Sequence, residues 1–330
     1  MSDSQLKTIE TLHRLIGQPA RTAALNTALR LGVIDALRDG QKTAGELAAA
    51  CRIRSDAVPA LMELLQPAGL VEQFGEHYAL SQAARMTPPN LWAMLFDQWT
   101  ALEKTLRDES DALSEFDRLK HEERSRSRFR AMRAMIEWAE TGAALKVAEA
   151  LDIGGLRRSL HILDLGCGSA VYSMTLAHRD PGCLVKLVDR AEGLERARAT
   201  VDSLEIQSRV TLTEADDLNI PGHDGGFDLV IISDQIHTMP SEEQDQLLRT
   251  AHRVLGPDGE VAVIDVFAGQ ERGREVVSRF QLELLVGTGL TMVTPDRLNA
   301  KMSGIGFSEI QFAHLPAPPW THGLVLGART

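Results

Sequence analysis

The chain has 330 residues, 44% hydrophobic and 25% charged, the balance of a soluble globular protein with room for two domains and a large core. A formal net charge of −11 argues against broad binding to a phosphate backbone, which needs clustered Lys and Arg. The start MSDSQLKTIETLHRL has no basic segment leading into an apolar core, and no apolar run nears ~18 residues, so neither a secretory signal nor a membrane span is expected.

The first hundred residues read as helices with one short β element. Leu25, Leu29, Val33 and Leu37 recur at helical spacing, with Gly40 as the stop. Thr43-Ala-Gly-Glu46 has capping-box form and opens the helix ELAAAC. Residues 55–66, SDAVPALMELLQ, predict another helix, and LVEQFGEHYAL (70–80) alternates around Gly75-Glu76 as a hairpin does. Three helices and a hairpin make a winged helix, expected over residues 1–100. Helices continue from about 90 to 150. Within them the Arg-rich segment 118–133 is interrupted by Glu122 and Glu123 and reads as a solvated helix or linker. Trp92, Phe96 and Trp99 share a helix face, and Phe129, Met132 and Ile136 form a second stripe beside Met135 and Trp138. Helix packing is the default reading of such stripes.

From residue 160 the period changes. Apolar strands at 160–165, 183–189, 209–213, 227–233 and 260–266 alternate with helical stretches, the mark of a parallel α/β sheet covered on both faces. Ser241-Glu-Glu-Gln244 has capping-box form at one helix start, and residues 309–328 offer two more short strands. His252, inside an amphipathic helix, reads as structural. Cys51, Cys167 and Cys183 are odd in number and form no CxxC pair, which suits a reduced cytoplasmic protein without a metal site.

The first of these strands runs into Asp164-Leu-Gly166-Cys-Gly168-Ser-Ala170, a strand, a tight turn and a helix start. This is the build of a nucleotide-binding loop, but it lacks the last glycine of the NAD fingerprint and no P-loop motif is present. Asp164 is placed to bond the loop's backbone N–H groups and to sit near a cationic ligand. Asp189, ending the second strand, is placed for the two hydroxyls of a ribose. Asp216 and Asp217, after the third strand, are placed for an adenine amino group, and Ser233 at the end of the fourth strand completes the set. Three acidic positions without a basic clamp point to a phosphate-free nucleoside that carries positive charge, and S-adenosylmethionine fits.

Residues 20–330 resemble the S-adenosylmethionine-dependent O-methyltransferases of the caffeic acid and hydroxyindole type. The resemblance is carried by ALRLGVIDALRDGQKTAGELAAACRI and LMELLQPAGLVEQFGEHYALS, then by LDLGCGSA, LVDR, EADD and FDLVIISDQIHTMPSEEQDQLLRTAHRVLGPDGEVAVID. It implies a winged-helix domain (1–100) that forms a homodimer, followed by a Rossmann-like methyltransferase domain (101–330). It further implies methyl transfer to a hydroxyl of a small, aromatic acceptor, with S-adenosylhomocysteine as product. Gly166, Gly168, Asp189, Asp216 and Asp217 match the cofactor-binding residues of the family, and His237 matches its general base. Its two supporting acids fall near Asp265 and Met292, so one survives, and the acid that follows the base is here Thr238.

A neutral imidazole is a sensible base for a phenol, whose pKa near ~10 leaves it protonated at pH 7. Asp265 suits either orienting His237 or an ordinary strand end. The weakened acid set leaves room for carbon or nitrogen methylation. A ligand-sensing regulator is the other class considered, but the helix that would enter a DNA groove, SDAVPALMELLQ, has Asp56 and Glu63 and no Arg or Lys.

Overall fold

The structure is a computed structural model that describes residues 3–88, 91–107, 140–215, 226–271, 273–317 and 320–329. It divides into two compact units, one of the N-terminal residues through Glu103 and one that contains the described residues from 140 onward.

The N-terminal unit runs α1 (Asp3–Arg30), α2 (Val33–Arg38), β1 (Lys42–Thr43), α3 (Ala44–Cys51), a short turn of 3-10 helix (Ser55–Ala57), α4 (Val58–Leu65), β2 (Val71–Phe74), β3 (His77–Leu80), α5 (Gln82–Met86) and α6 (Leu91–Thr100), and α7 (Leu102–Leu106) follows. The three strands pair in the order β1-β3-β2, and Gly75-Glu76 turns the β2–β3 hairpin as expected. Thr43 caps α3 in a full capping box with Glu46. Its core holds Val33, Ile34, Leu37, Leu47, Val58, Met62, Leu65 and Leu80, each buried side chain contributing about 1.5–3 kcal/mol of transfer free energy. The helix expected across Leu25–Leu37 is two helices. Gly32 takes a left-handed φ of 74° that a continuing helix does not allow, and its N–H closes on Leu29. Trp92 packs against this core, while Phe96 and Trp99 on the same helix are half-buried. The stripe from Phe129 to Trp138 and the Arg-rich segment lie outside the described residues.

In the C-terminal unit a seven-stranded sheet has the order β6-β5-β4-β7-β8-β10-β9. The strands β4 (His161–Leu165), β5 (Leu184–Asp189), β6 (Val210–Glu214), β7 (Phe227–Ser233) and β8 (Leu255–Asp265) are parallel. β9 (Phe307–Ala317) and β10 (Trp320–Arg329) form an antiparallel hairpin, with β10 inserted between β8 and β9. Both are longer than the two short strands expected. Pro316 is tolerated because β9 is the sheet edge. β8 begins five residues before its expected start, because Leu255 already pairs Phe227 ahead of a bulge.

Alternate residues feed two cores, one on each face. Ile162, Ile231 and Ile264 belong to one, and Leu163, Ile232 and Val263 to the other. Helices α8 (Val171–Arg179), α9 (Ala191–Ser203), α10 (Ser241–Val254), α11 (Arg274–Thr288) and α12 (Pro295–Ile305) connect the strands. The capping box expected at Ser241 does not form. Pro240 occupies the cap, Gln244 spends its amide on the carbonyls of Ile236 and Met239, and Lys301 donates to the Ser241 hydroxyl. His252 packs edge-on against Phe307, a structural role. From β4 the chain steps outward to β5 and β6, then returns to the other side of β4 as β7. That switch point, at the carboxyl ends of β4 and β7, is where such sheets bind ligands. No described helix is long and apolar enough to cross a membrane.

Candidate active site

Strand β4 delivers Asp164 to the switch point and the chain then turns through Gly166 (φ 64°), Gly168 (φ 56°) and Ala170 (φ 59°) into α8. A Cβ at Gly166 would lie 1.8 Å from Nε2 of Gln235, whose side chain crosses the loop and donates to the Leu165 carbonyl. Only glycine fits there. Ala170 takes the same left-handed region with a Cβ, a strain of roughly 1 kcal/mol, and its N–H closes on Cys167 at 2.6 Å.

Asp164 does not hold the loop N–H groups as the sequence suggested. Those of Gly166 and Cys167 bond the Val188 carbonyl, and that of Gly168 bonds Asp189 Oδ2 at 2.8 Å. Asp164 is fully buried and accepts the Ser173 hydroxyl at 2.5 Å. Burial pushes its carboxyl up to about 7, partly offset by that hydrogen bond. Its Oδ1, and Oε1 of Gln235, are buried beside the loop without a hydrogen-bond partner among the described residues. Asp189 stands at the tip of β5, also accepts the Arg190 N–H at 2.6 Å, and is half-buried. Gly193 lets it sit there, since a Cβ would lie 2.1 Å from the Asp189 carboxyl carbon. Ser233 ends β7, one residue beyond the Ile232–Leu165 pair. Asp216 and Asp217 lie outside the described residues. Burial also drives the Cys167 thiol far up, so the loop holds no thiolate.

Beyond β7, a turn of 3-10 helix (Ile236–Thr238) presents His237. Its Nδ1–H donates to Oδ1 of Asp265 at 2.6 Å, and its backbone N–H donates to Oδ2 of the same residue at 3.1 Å. Asp265 ends β8, is buried, and also accepts the Val266 N–H at 2.7 Å. The Phe280 ring on α11 meets the imidazole edge-on at 5.1 Å. Burial alone would lower the His237 pKa, but Asp265 and then Asp234 overcome it and raise the imidazole above its usual value. Thr238 turns away to bond the Gln235 carbonyl, and Met292 is buried beside Val266 and Ala268.

Three residues that the sequence reading passed over complete the cluster. Asp234 Oδ1 accepts His322 Nε2–H at 3.1 Å, and its Oδ2 accepts the Tyr172 hydroxyl at 3.4 Å. An acid directly after the apolar run of β7 was the one available signal. Burial raises the Asp234 carboxyl, but His322, His237 and Tyr172 outweigh it and hold it below the carboxylate range. His322 is raised in turn, its burial outweighed by Asp234. Polar atoms of Asp234, His237 and Asp265 lie within 4.8 Å of one another, near enough for a cation. Nδ1 of His237 is spent on Asp265 and both Asp234 oxygens already have donors, which is the make-up of a hydrogen-bonded network.

Residues 162–259 match the family described as "Methyltransferase domain", and residues 14–87 match "O-methyltransferase dimerisation domain". The chain is 24% identical over 277 residues to the mitomycin biosynthesis 6-O-methyltransferase of Streptomyces lavendulae, covering 78% of this chain and 77% of that protein. It is 27% identical over 175 residues to the 27-O-demethylrifamycin SV methyltransferase of Amycolatopsis mediterranei (strain S699), covering 50% and 61%. The chain spans between 42% and 77% of the length of these and further curated relatives. Among solved structures, the mitomycin 7-O-methyltransferase MmcR superposes with a TM-score of 0.71 at 21% identity over 99% of both chains. Human N-acetylserotonin methyltransferase, solved with S-adenosylmethionine, gives 0.64 at 18% identity over 100% of this chain and 99% of that one. At these identities the likeness is one of fold.

Proposed function

The chain belongs to the S-adenosylmethionine-dependent methyltransferases that carry an O-methyltransferase dimerisation domain, and on that premise we propose that it methylates a hydroxyl oxygen of a small aromatic acceptor with His237 as general base. The observation that carries this reading is the 2.6 Å hydrogen bond from His237 to buried Asp265 at the carboxyl ends of β7 and β8, in the same unit as the glycine loop. Asp265 fixes the proton on Nδ1 and so leaves Nε2 as the lone pair that takes a proton from the acceptor.

The residues at the switch point fit the cofactor. Gly166 and Gly168 leave the loop backbone bare, and two buried oxygens beside it, on Asp164 and Gln235, have acceptor capacity to spare. Asp189 would take the ribose hydroxyls, Asp164, Gly166, Gly168 and Ser233 would surround the remainder, and Asp216 and Asp217 would serve the adenine side. When bound, S-adenosylmethionine supplies an electrophilic methyl on a sulfonium. The chain's own contribution is to align the acceptor oxygen, exclude water and hold the proton on His237. Residues 1–100 serve as the homodimer module, and α1 offers a face for it, with Leu12 and Ile16 54% and 68% exposed. The test is a screen of phenolic metabolites for transfer of labelled methyl from S-adenosylmethionine. Transfer to oxygen that disappears in His237→Ala supports the reading. Transfer to carbon or nitrogen alone overturns it.

A further inference from the structure

His237 keeps only one of its family's supporting acids in the expected places, with Thr238 and buried Met292 where others would stand. It nevertheless has two carboxylates around it. We propose that Asp234, gripped by His322 and Tyr172, is a second positioning residue of the base, a fixed negative charge drawn from a different part of the chain. The proposal rests on the reading of His237 as base and extends it.

Three features make Asp234 a built element. It follows β7 with a left-handed φ of 53°, a conformation that a non-glycine residue adopts at some cost, and its N–H is locked on the Ile264 carbonyl at 2.9 Å. Both carboxylate oxygens are then engaged, by His322 from β10 and by Tyr172 from the first turn of α8. The β8–β10 register sets Gly323 opposite Asp265, so His322 is neighbour to the residue that faces the His237 imidazole. A Cβ at Gly323 would press within 2.7 Å of the Phe267 and Phe312 rings, so glycine keeps β10 close.

The charges within the network have opposite effects on His237. Asp265 and Asp234 favour its protonated form, whereas a charge on His237 opposes one on His322, a repulsion between two like charges that acts on both. Tyr172, held neutral by burial and by Asp234, Glu140 and Asp265, contributes a donor and no charge. Phe280 from α11 adds an uncharged ring. His322 therefore anchors Asp234 and at the same time tempers it.

The experiment is an NMR titration of the imidazoles in the full chain, with His237 and His322 assigned by single substitutions. In Asp234→Asn the midpoint of His237 should fall by about one to two pH units, the usual effect of removing a neighbouring opposite charge. In His322→Gln, which keeps a donor to Asp234 but no positive charge, the His237 midpoint should rise. A general loosening of the fold would move both variants the same way. An unchanged midpoint in Asp234→Asn, or shifts of one sign in both variants, overturns the proposal. If Asp234→Asn does not fold, His322→Gln decides alone, since its midpoint must rise. Kinetics separate this from the reading beneath it. If His237→Ala keeps its methyl-transfer rate while the two titration shifts appear, the base assignment fails and the network stands. If His237 proves essential and the shifts are absent, the second carboxylate is refuted.

Discussion

Replacing Asp265 by Asn is the sharpest probe of the dyad, because the side chain is almost isosteric and buried. The carboxylate accepts three hydrogen bonds, from His237 Nδ1, the His237 N–H and the Val266 N–H. An amide cannot serve all three. In one orientation its NH2 opposes a backbone N–H, and in the other it donates to Nδ1 and forces the imidazole proton onto the nitrogen that should accept one. At an effective dielectric of about 20, an imidazolium about 4 Å from a carboxylate is stabilised by ~4 kcal/mol. A transition state with the proton half to fully transferred loses roughly 2–4 kcal/mol of that, or about 30-fold to 10³-fold in kcat. The pH profile carries the sign. The wild-type imidazole is raised by Asp265, so activity appears as pH climbs through a value above 6.5, whereas in Asp265→Asn burial dominates and the rising limb moves to lower pH. The assay is the initial rate of labelled methyl transfer to phenols of graded pKa between pH 6 and 9. A variant within threefold of wild type on a neutral phenol, or one equally impaired on a phenol already ionised, would falsify the dyad.

The other expectations are independent of one another. His237→Ala should lower turnover by ~10²–10⁴-fold with cofactor affinity unchanged, and adding Asp265→Asn should cost little more, because the pair acts as a unit; additive losses would contradict that. Asp189→Ala should weaken S-adenosylmethionine and S-adenosylhomocysteine alike by ~1.5–3 kcal/mol in titration calorimetry, and equal binding by both proteins counts against the ribose contact. Asp164 has a folded pKa of about 7 against 3.8 as a free carboxyl, so the native state takes up a proton between these values and loses stability as pH rises through that window. Asp164→Asn should therefore gain up to about 4 kcal/mol over wild type in urea unfolding of the cofactor-free protein at pH 8, a gain that fades toward pH 4; a gain independent of pH would refute it. Light scattering should report about twice 36.2 kDa, and Leu12→Asp with Ile16→Asp should reduce it to the single-chain mass.

The parts legible in sequence were those whose signals are local. The glycine loop is announced by an apolar run that stops at Gly166, the wing by Gly75-Glu76, and the α3 cap by Thr43 and Glu46. His237 and Asp265 could be placed because each follows a strand of plain apolar pattern. The break at Gly32 was hidden, since Leu29 and Val33 keep helical spacing on both sides of it. Spacing places a cap at Ser241, but it cannot reveal that Gln244 has closer partners in the preceding turn. Nothing in the sequence marks Ser173, nine residues on, as the donor to Asp164. Tyr172, Asp234 and His322 are 62 and 88 residues apart along the chain and meet only through the sheet order.

That sheet order has a consequence for how the protein comes into being. β10 is the last of the described strands, yet it fills an interior slot between β8 and β9. During synthesis on the ribosome the glycine loop, β7 and β8 emerge well before it, and the growing chain therefore carries His237 and Asp265 ahead of the histidine that secures Asp234. Until β10 is released, β8 presents a bare edge and Asp234, beside His237, lacks its histidine partner. A nascent chain shortened before residue 320 should consequently bind chaperones that recognise open strand edges.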